Sequence, residues 1–324
     1  MAAGSGREKT YMCFDLKSFF ASVECVERGL DPFTTNLVVA DPSRGDRTIC
    51  LAATPAIKAL GAKSRGRVYE IPEGVEYIMA PPRMQLYIDY SARIYGIYLR
   101  YAAKEDIHIY SIDEVFMDAT AYMGARGMTP LEFARAVMRD VYAETGITAT
   151  CGIGTNLYLA KIALDVISKR SPEFIGVLTE ESYRETLWDH TPLTDFWHIN
   201  VGTVGRLAHL GIRTMREITQ TDKALLYKTF GVDAQLLIDH AWGRESAGIA
   251  DIKNYVPQNN SLSTGQVLHC GYGVAGARLL MLEMAEVLSL ELVKLGVAAG
   301  SISLSLGYSF SAEVKPAHGS MTLE

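Results

Sequence analysis

The stretch "DIHIYSIDEVFMD", residues 106–118, constrains the fold most. Ile107, Ile109 and Ser111 alternate along it, and Val115 and Met117 resume the alternation after a break, which predicts two short strands joined by a tight turn. The turn carries two adjacent acids, Asp113 and Glu114. Side by side at a hairpin tip, two carboxylates repel one another unless cations neutralise them. Upstream, "TYMCFD" (10–15) reads as a buried strand that ends on a third acid, Asp15. If these strands are neighbours, three carboxylates meet at one sheet edge. Magnesium takes such oxygen ligands and leaves positions open for phosphate, and two ions about 4 Å apart suit in-line phosphoryl transfer. A purely structural acid cluster is the alternative, and geometry alone leaves it open.

The flanking pattern mixes helices and strands. "KSFFASVECVER" (17–28) has helical spacing, and "NLVVA" (36–40) and "RTICLAA" (47–53) read as short strands around the turn-rich "DPSRGD". Pro55 starts a short helix. Asp46 and Glu70 bracket a segment with five basic residues and no acid: Arg47, Lys58, Lys63, Arg65 and Arg67. "VEYIMA" (75–80) is a strand, and Tyr87, Tyr90, Ile94, Ile97 and Tyr101 place a helix after Pro81 and Pro82. A further amphipathic helix covers 130–144, "ITATCGIG" (147–154) is a strand, and "TNLYLAKIALDVIS" (155–168) a helix. This order predicts a mixed α+β fold with helices on one face of a sheet. Residues 171–246 read as a small all-helical unit, and "GRESAGIADIKNYVPQNN" (243–260) as a polar, irregular linker. Strand (261–269), long helix (276–296) and strand (301–309) then follow, and the tail from Ala312 has no obvious partner.

With 324 residues, more than one domain is expected. Nothing approaches an 18-residue apolar run, so no membrane span is expected, and the polar, Gly/Ser-containing start lacks a secretory h-region and reads as a flexible lead. The five cysteines form no CxxC pair and the seven histidines are scattered, which speaks against a disulfide framework or zinc and for a reducing cytoplasm. Net charge is −6, which does not advertise nucleic-acid binding, so any such function rests on local charge.

"FDLKSFFASVE" (14–24), "YSIDEVFMD" (110–118) and "GIGTNLYLAKIA" (152–163), in this order, resemble the Y-family, lesion-bypass DNA polymerases, and "AIKALGAK" (56–63) fits their bacterial UmuC-like branch. The resemblance spans residues 10 to about 310. It implies a right hand: a ferredoxin-like palm (1–27 and 80–170), small inserted fingers (28–79), an all-helical thumb (171–246), a linker (247–260) and an α/β little finger (261–324). It implies two Mg2+ ions held by Asp15, the Leu16 backbone carbonyl, Asp113 and Glu114, with primer-template DNA and a dNTP as substrates, in translesion synthesis and DNA repair. Phe20 falls at the steric-gate position, where a ring excludes a ribose 2′-hydroxyl, with Phe19 and Ser18 beside it. Lys58 and Lys161 match basic positions that contact the triphosphate.

"FWHINVGTVGRLAHLGIRTMREI" resembles the thumb helix-hairpin-helix, in which a helix start presents backbone N–H groups to a DNA phosphate, here at Asn200 and Gly202. Departures are visible. Lys17 replaces a polar or acidic residue, Ser18 and Pro55 replace aromatics, and His198 and Asn200 stand at the usual hairpin glycines. Asn tolerates left-handed backbone better than His. The little finger is implied to be a four-stranded sheet with two helices. Residues 261–324 supply about half of it and carry three basic residues against five acids, so the chain is expected to be a fragment whose missing part completes the sheet and carries any motif for a sliding clamp. Two rivals remain: a palm-type nucleotidyl cyclase, and a catalytically silent DNA-binding relative.

Overall fold

The structure is a computed structural model that describes residues 9–257, 261–268, 270–309 and 312–323; the N-terminal lead lies outside them. The chain divides into two units, residues 1–255 and 256–324.

The first unit opens with β1 (Tyr11–Leu16) and α1 (Phe19–Val26). A small three-stranded sheet follows, built from β2 (Leu37–Val39), β3 (Ala52–Ala53) and, after the short helix α2 (Pro55–Ala59), β4 (Ile78–Ala80). Its core is Val38, Ala40, Cys50, Ala53, Ile57 and Val68. Next come α3 (Met84–Tyr98), β5 (Ile107–Ile109), β6 (Glu114–Asp118), α4 (Thr120–Arg126), α5 (Pro130–Thr145), β7 (Ala149–Gly154), α6 (Leu157–Ile162) and β8 (Ile175–Leu178). The main sheet has the order β5-β6-β1-β7-β8. β1 lies at its centre, antiparallel to both β6 and β7, while β8 runs parallel to β7.

Residues on β1 alternate between two cores because strand side chains alternate between faces. Met12, Phe14 and Leu16 pack with Phe19 and Val23 of α1, Tyr87, Ile94 and Ile97 of α3, and Phe133 and Val137 of α5. Each such large side chain contributes about 1.5–3 kcal/mol on burial. Tyr11 and Cys13 point the other way, against Leu157, Ala160 and Leu164. Helices therefore cover both faces, not one. The sequence pattern missed this because α6 is buried all round and has no polar face to mark its side. α6 also lies unusually close to β7: a Cβ on Gly152 would stand 2.1 Å from the Ala160 carbonyl oxygen, and one on Gly154 2.2 Å from the Ala160 nitrogen. α5 is delimited by local chemistry, with Pro130 in its first turn, a reciprocal Thr129–Glu132 capping box and Gly146 in left-handed conformation at its end.

β8 falls in the segment expected to be wholly helical. Short helices α7 (Glu180–Thr186), α8 (Val201–His209), α9 (Met215–Gln220), α10 (Lys223–Phe230) and α11 (Asp233–Ala241) follow it. Their core includes Tyr183, Phe196, Leu207, Met215 and Leu226, together with Tyr158, Leu159 and Ile162 from α6. The expected linker is irregular only in part. Residues 249–254 form α12 (Ile249–Asn254), and Ile249 is buried with Tyr11, Cys13 and Phe116. Two apolar positions three apart, Ile249 and Ile252, were too few to stand out in a polar stretch.

The second unit contains α13 (Val274–Leu295), β9 (Ser301–Leu306) and β10 (Ala317–Thr322). Residues 261–268, read as a strand, have no regular structure, and the tail does find a partner: β10 pairs antiparallel with β9, Thr322 opposite Ser301.

Candidate active site

The register of β1 and β6 sets Asp15 directly opposite Glu114. Both lie on the face that carries Cys13 and looks toward α6. Asp113 sits in the turn just before β6. Its carbonyl accepts from the Leu16 amide (2.9 Å) and its carboxylate from the Ser111 hydroxyl (2.7 Å). The three acids expected from sequence are thus brought together. Burial, then the charges of Asp113 and Glu114, pushes the Asp15 carboxyl up to about 7. Burial also raises Glu114, opposed by Lys161 and Cys13.

Glu114 is almost fully enclosed and uses both oxygens. Oε1 accepts from the Cys13 thiol (3.2 Å) and Oε2 from the Lys161 ammonium (2.8 Å). Lys161 also pairs with Asp165 at 3.1 Å. Burial pulls this ammonium down, but its acidic neighbours outweigh that and hold it above its ordinary range. Lys161 was expected to meet a triphosphate. It is 7 % exposed and is paired with two carboxylates, Glu114 and Asp165.

Burial, reinforced by the charges of its neighbours, drives one of these three carboxylates towards protonation, and carboxylate oxygens are the donor type that a hard divalent cation takes. They do not form a closed cage: among the described residues, no group of three or more His, Cys, Asp or Glu side chains is gathered at metal-holding geometry.

Beside the acids lies a cluster of lysines. Ser18 precedes α1 with φ 51° and ψ 42°, and its side chain does not cap the helix, so the first-turn N–H groups have no intrahelical or capping acceptor. Lys58, from α2, donates to the Ser18 hydroxyl at 2.9 Å. Lys17 places its ammonium 4.3 Å from the centre of the Phe174 ring, which stacks in turn on Phe33. Burial lowers Lys17, with Asp15 opposing and Lys169 adding to the shift; burial, Lys17 and Lys169 lower Lys58. In the sequence Lys17 stands out only as a departure from the family pattern, and Lys169 belongs to none of the motifs. The signal for Lys169 was its spacing: Lys161, Asp165 and Lys169 recur every four residues, and Lys169 lies 4.0 Å from Asp165.

The two phenylalanines differ in burial. Phe19, expected beside the nucleotide, is 2 % exposed and belongs to the core. Phe20 is half-buried and stacks on Tyr87, with centroids 4.4 Å apart and planes 14° from parallel. Tyr87 is fixed from behind by its hydroxyl on Glu24 (2.7 Å), which also accepts from Arg83 at 2.9 and 2.8 Å and from Arg28.

At the hairpin before α8 the expectation for the backbone is reversed. His198 takes the left-handed conformation, with φ 68°, while Asn200 is extended (φ −94°, ψ 172°) and caps α8 through the Thr203 amide at 2.9 Å. The Asn200 carboxamide oxygen is thus occupied in capping the helix. Gly202 stands in the first turn, where a Cβ would come 3.2 Å from that same oxygen.

Comparison with known proteins agrees with this geometry. The impB/mucB/samB family matches residues 14–165. A Bacillus subtilis (strain 168) protein named UvrX is 33% identical over 304 residues, which cover 93% of this chain and 71% of that one. DNA polymerase IV 2 of the same organism is 31% identical over 313 residues, covering 92% and 72%. Among solved structures, a ternary complex of Dbh superposes with TM-score 0.61 at 26% identity, over 73% of this chain and 68% of that one. A Y-family Dbh–Dpo4 chimera reaches TM-score 0.70 over 97% and 88% of the chains, at 20% identity, a likeness of fold. A sheet that sets three acids beside a cationic helix start, on a chain related along most of its length to DNA polymerase IV, leads to one assignment: the chain belongs to the Y-family DNA polymerases.

Proposed function

We propose that this chain is a template-directed DNA polymerase that adds deoxynucleotides to a primer 3′ end during translesion synthesis. The observation that carries the reading is the meeting of Asp15, Asp113 and Glu114 beside the ammonium groups of Lys17, Lys58 and Lys169. Asp15, Asp113, Glu114 and the Leu16 carbonyl would hold two Mg2+ ions. When bound, these ions supply charge neutralisation for the attacking hydroxyl and the leaving pyrophosphate. The chain itself positions. The α1 N–H groups and the three lysines receive the triphosphate. Phe20 lies where a sugar ring would rest and closes the space of a 2′-hydroxyl. Phosphoryl transfer needs little more than alignment and electrostatic support.

The palm takes the main sheet with β8, the fingers the small sheet, and the thumb α7–α11. Primer-template DNA is the partner; a sliding clamp remains an expectation of the family. Among the described residues no helix is long and apolar enough to cross a membrane. A nucleotidyl cyclase has no use for a ring at Phe20, and a silent DNA-binding relative has no use for three intact acids.

Extension of a labelled primer with single dNTPs, with Mg2+ and with excess chelator, tests the reading. Template-dependent extension that the chelator abolishes, and that Asp113→Ala reduces by about a thousandfold or more with DNA affinity kept, is expected. Cyclic nucleotide formation, or metal-dependent extension untouched in Asp113→Ala, would overturn it.

A further inference from the structure

We propose that Cys13 is a positioning residue for the polymerase reaction, its thiol fixing the orientation of the Glu114 carboxylate. The inference rests on the reading of Glu114 as a metal-site carboxylate. Cys13 and Asp15 are two residues apart on β1 and so share a face. Glu114 faces Asp15 across the strand pair, which puts Cys13 diagonally behind it. The thiol is fully enclosed, with Sγ 3.2 Å from Glu114 Oε1.

The terminal torsion of a glutamate is soft, so a carboxylate held at one oxygen still turns about its last bond. Lys161 holds Oε2 at 2.8 Å, and only the thiol holds Oε1 among the described hydrogen bonds. With both oxygens held, the carboxylate plane is set before any substrate arrives. Removing the thiol leaves Lys161 alone, free to draw the carboxylate toward α6 and Asp165 and away from Asp15. A cysteine present only for its size would be replaced equally well by valine or alanine. A cysteine present as a donor is replaced only by serine.

The experiment compares Cys13→Val, Cys13→Ala, Cys13→Ser and Glu114→Ala in the full chain with a primer-template. Single-nucleotide kinetics give kcat and KM for dNTP. Mn2+ binding, read by electron paramagnetic resonance with a dideoxy-terminated primer and dNTP present, reports the site without turnover. Groups that orient metal-site ligands cost about 10–100-fold in affinity or activity when lost. Cys13→Val and Cys13→Ala should therefore lower kcat and weaken Mn2+ about tenfold, with KM for dNTP changed less than about twofold, and Cys13→Ser should recover most of both. Wild-type kcat and Mn2+ affinity in Val or Ala would overturn the proposal. So would a Ser variant as impaired as Ala, since packing alone then explains the loss. If Glu114→Ala extends primers normally, the reading of Glu114 fails first; if it is inactive while Cys13→Ala is normal, only the role of Cys13 falls.

Discussion

Phe19 and Phe20 are neighbours in sequence and opposites in structure. Phe20→Ala should lose discrimination against ribonucleotides, measured as the ratio of kcat/KM for dNTP and rNTP, while thermal stability changes little. Phe19→Ala removes a ring from a packed core and should cost about 3–5 kcal/mol of stability with the sugar ratio preserved. The lysines divide in the same way. Lys58→Ala should raise KM for dNTP more than Kd for primer-template, because its ammonium lies at the start of α1 beside Ser18. Lys161→Ala should show its loss as a lowered melting midpoint, because it strands the buried Glu114 charge, a change that costs about 3–5 kcal/mol. Equal KM effects from both would contradict the separation. For the phenylalanines, helical spacing already allows one ring to be core and the other to face outward; for the lysines this inside-or-outside distinction is not visible in the motifs. The motifs point to the segments around Asp15 and Asp113, but a lysine reads the same in sequence whether its partner is a carboxylate within the protein or a phosphate outside it.

Helices α1 and α3 are joined through Glu24, whose side chain is fully buried among Arg83, Tyr87 and Arg28. Burial alone would raise this carboxyl; the donors outweigh it and hold it below its ordinary range. A carboxyl depressed in the folded state adds stability above its unfolded pKa and loses that contribution as pH falls through the folded value. Urea unfolding of Glu24→Gln and wild type should therefore differ by about 3 kcal/mol at pH 7 and converge below the ordinary carboxylate range. A difference that persists unchanged into acid would mean that shape and not charge holds the two helices. Tyr87 links this cluster to Phe20, so the acid-induced loss should be accompanied by a falling sugar discrimination while the enzyme is still active. Elements with strong local signals, such as α5 with its capping box and Gly146, were legible residue by residue. β8, α12 and β10 were not, because a four-residue strand, a helix with two apolar contacts and a polar strand are defined by the partners they meet.

Across the first unit, α6 contributes to two cores at once, with Leu157 and Ala160 in that under the main sheet and Tyr158, Leu159 and Ile162 in that of the helical segment. The sheet and the helices after it should therefore unfold together. Leu226→Ala, deep in the helical core, should cost about 2–5 kcal/mol and shift the tryptophan transition, reporting Trp188, Trp197 and Trp242, by the same amount as the far-ultraviolet transition that includes the sheet. Two separated transitions would mean that the shared helix does not couple them. The sequence placed the right segments in this unit but not their two-sided arrangement, since hydrophobic periodicity says that a face is buried and not against what. The close seat of α6 has a consequence for how substitutions in this chain are interpreted. Gly152 and Gly154 have no positive φ and offer no chemistry, yet an added methyl group at either would overlap the backbone of Ala160. In a saturation mutagenesis screen scored only on enzyme activity, both glycines would be as intolerant as Asp15 or Asp113 and would pass for catalytic positions. A parallel count of soluble protein separates the two kinds, since it falls with every substitution at the glycines and holds steady when an acid is exchanged for its amide.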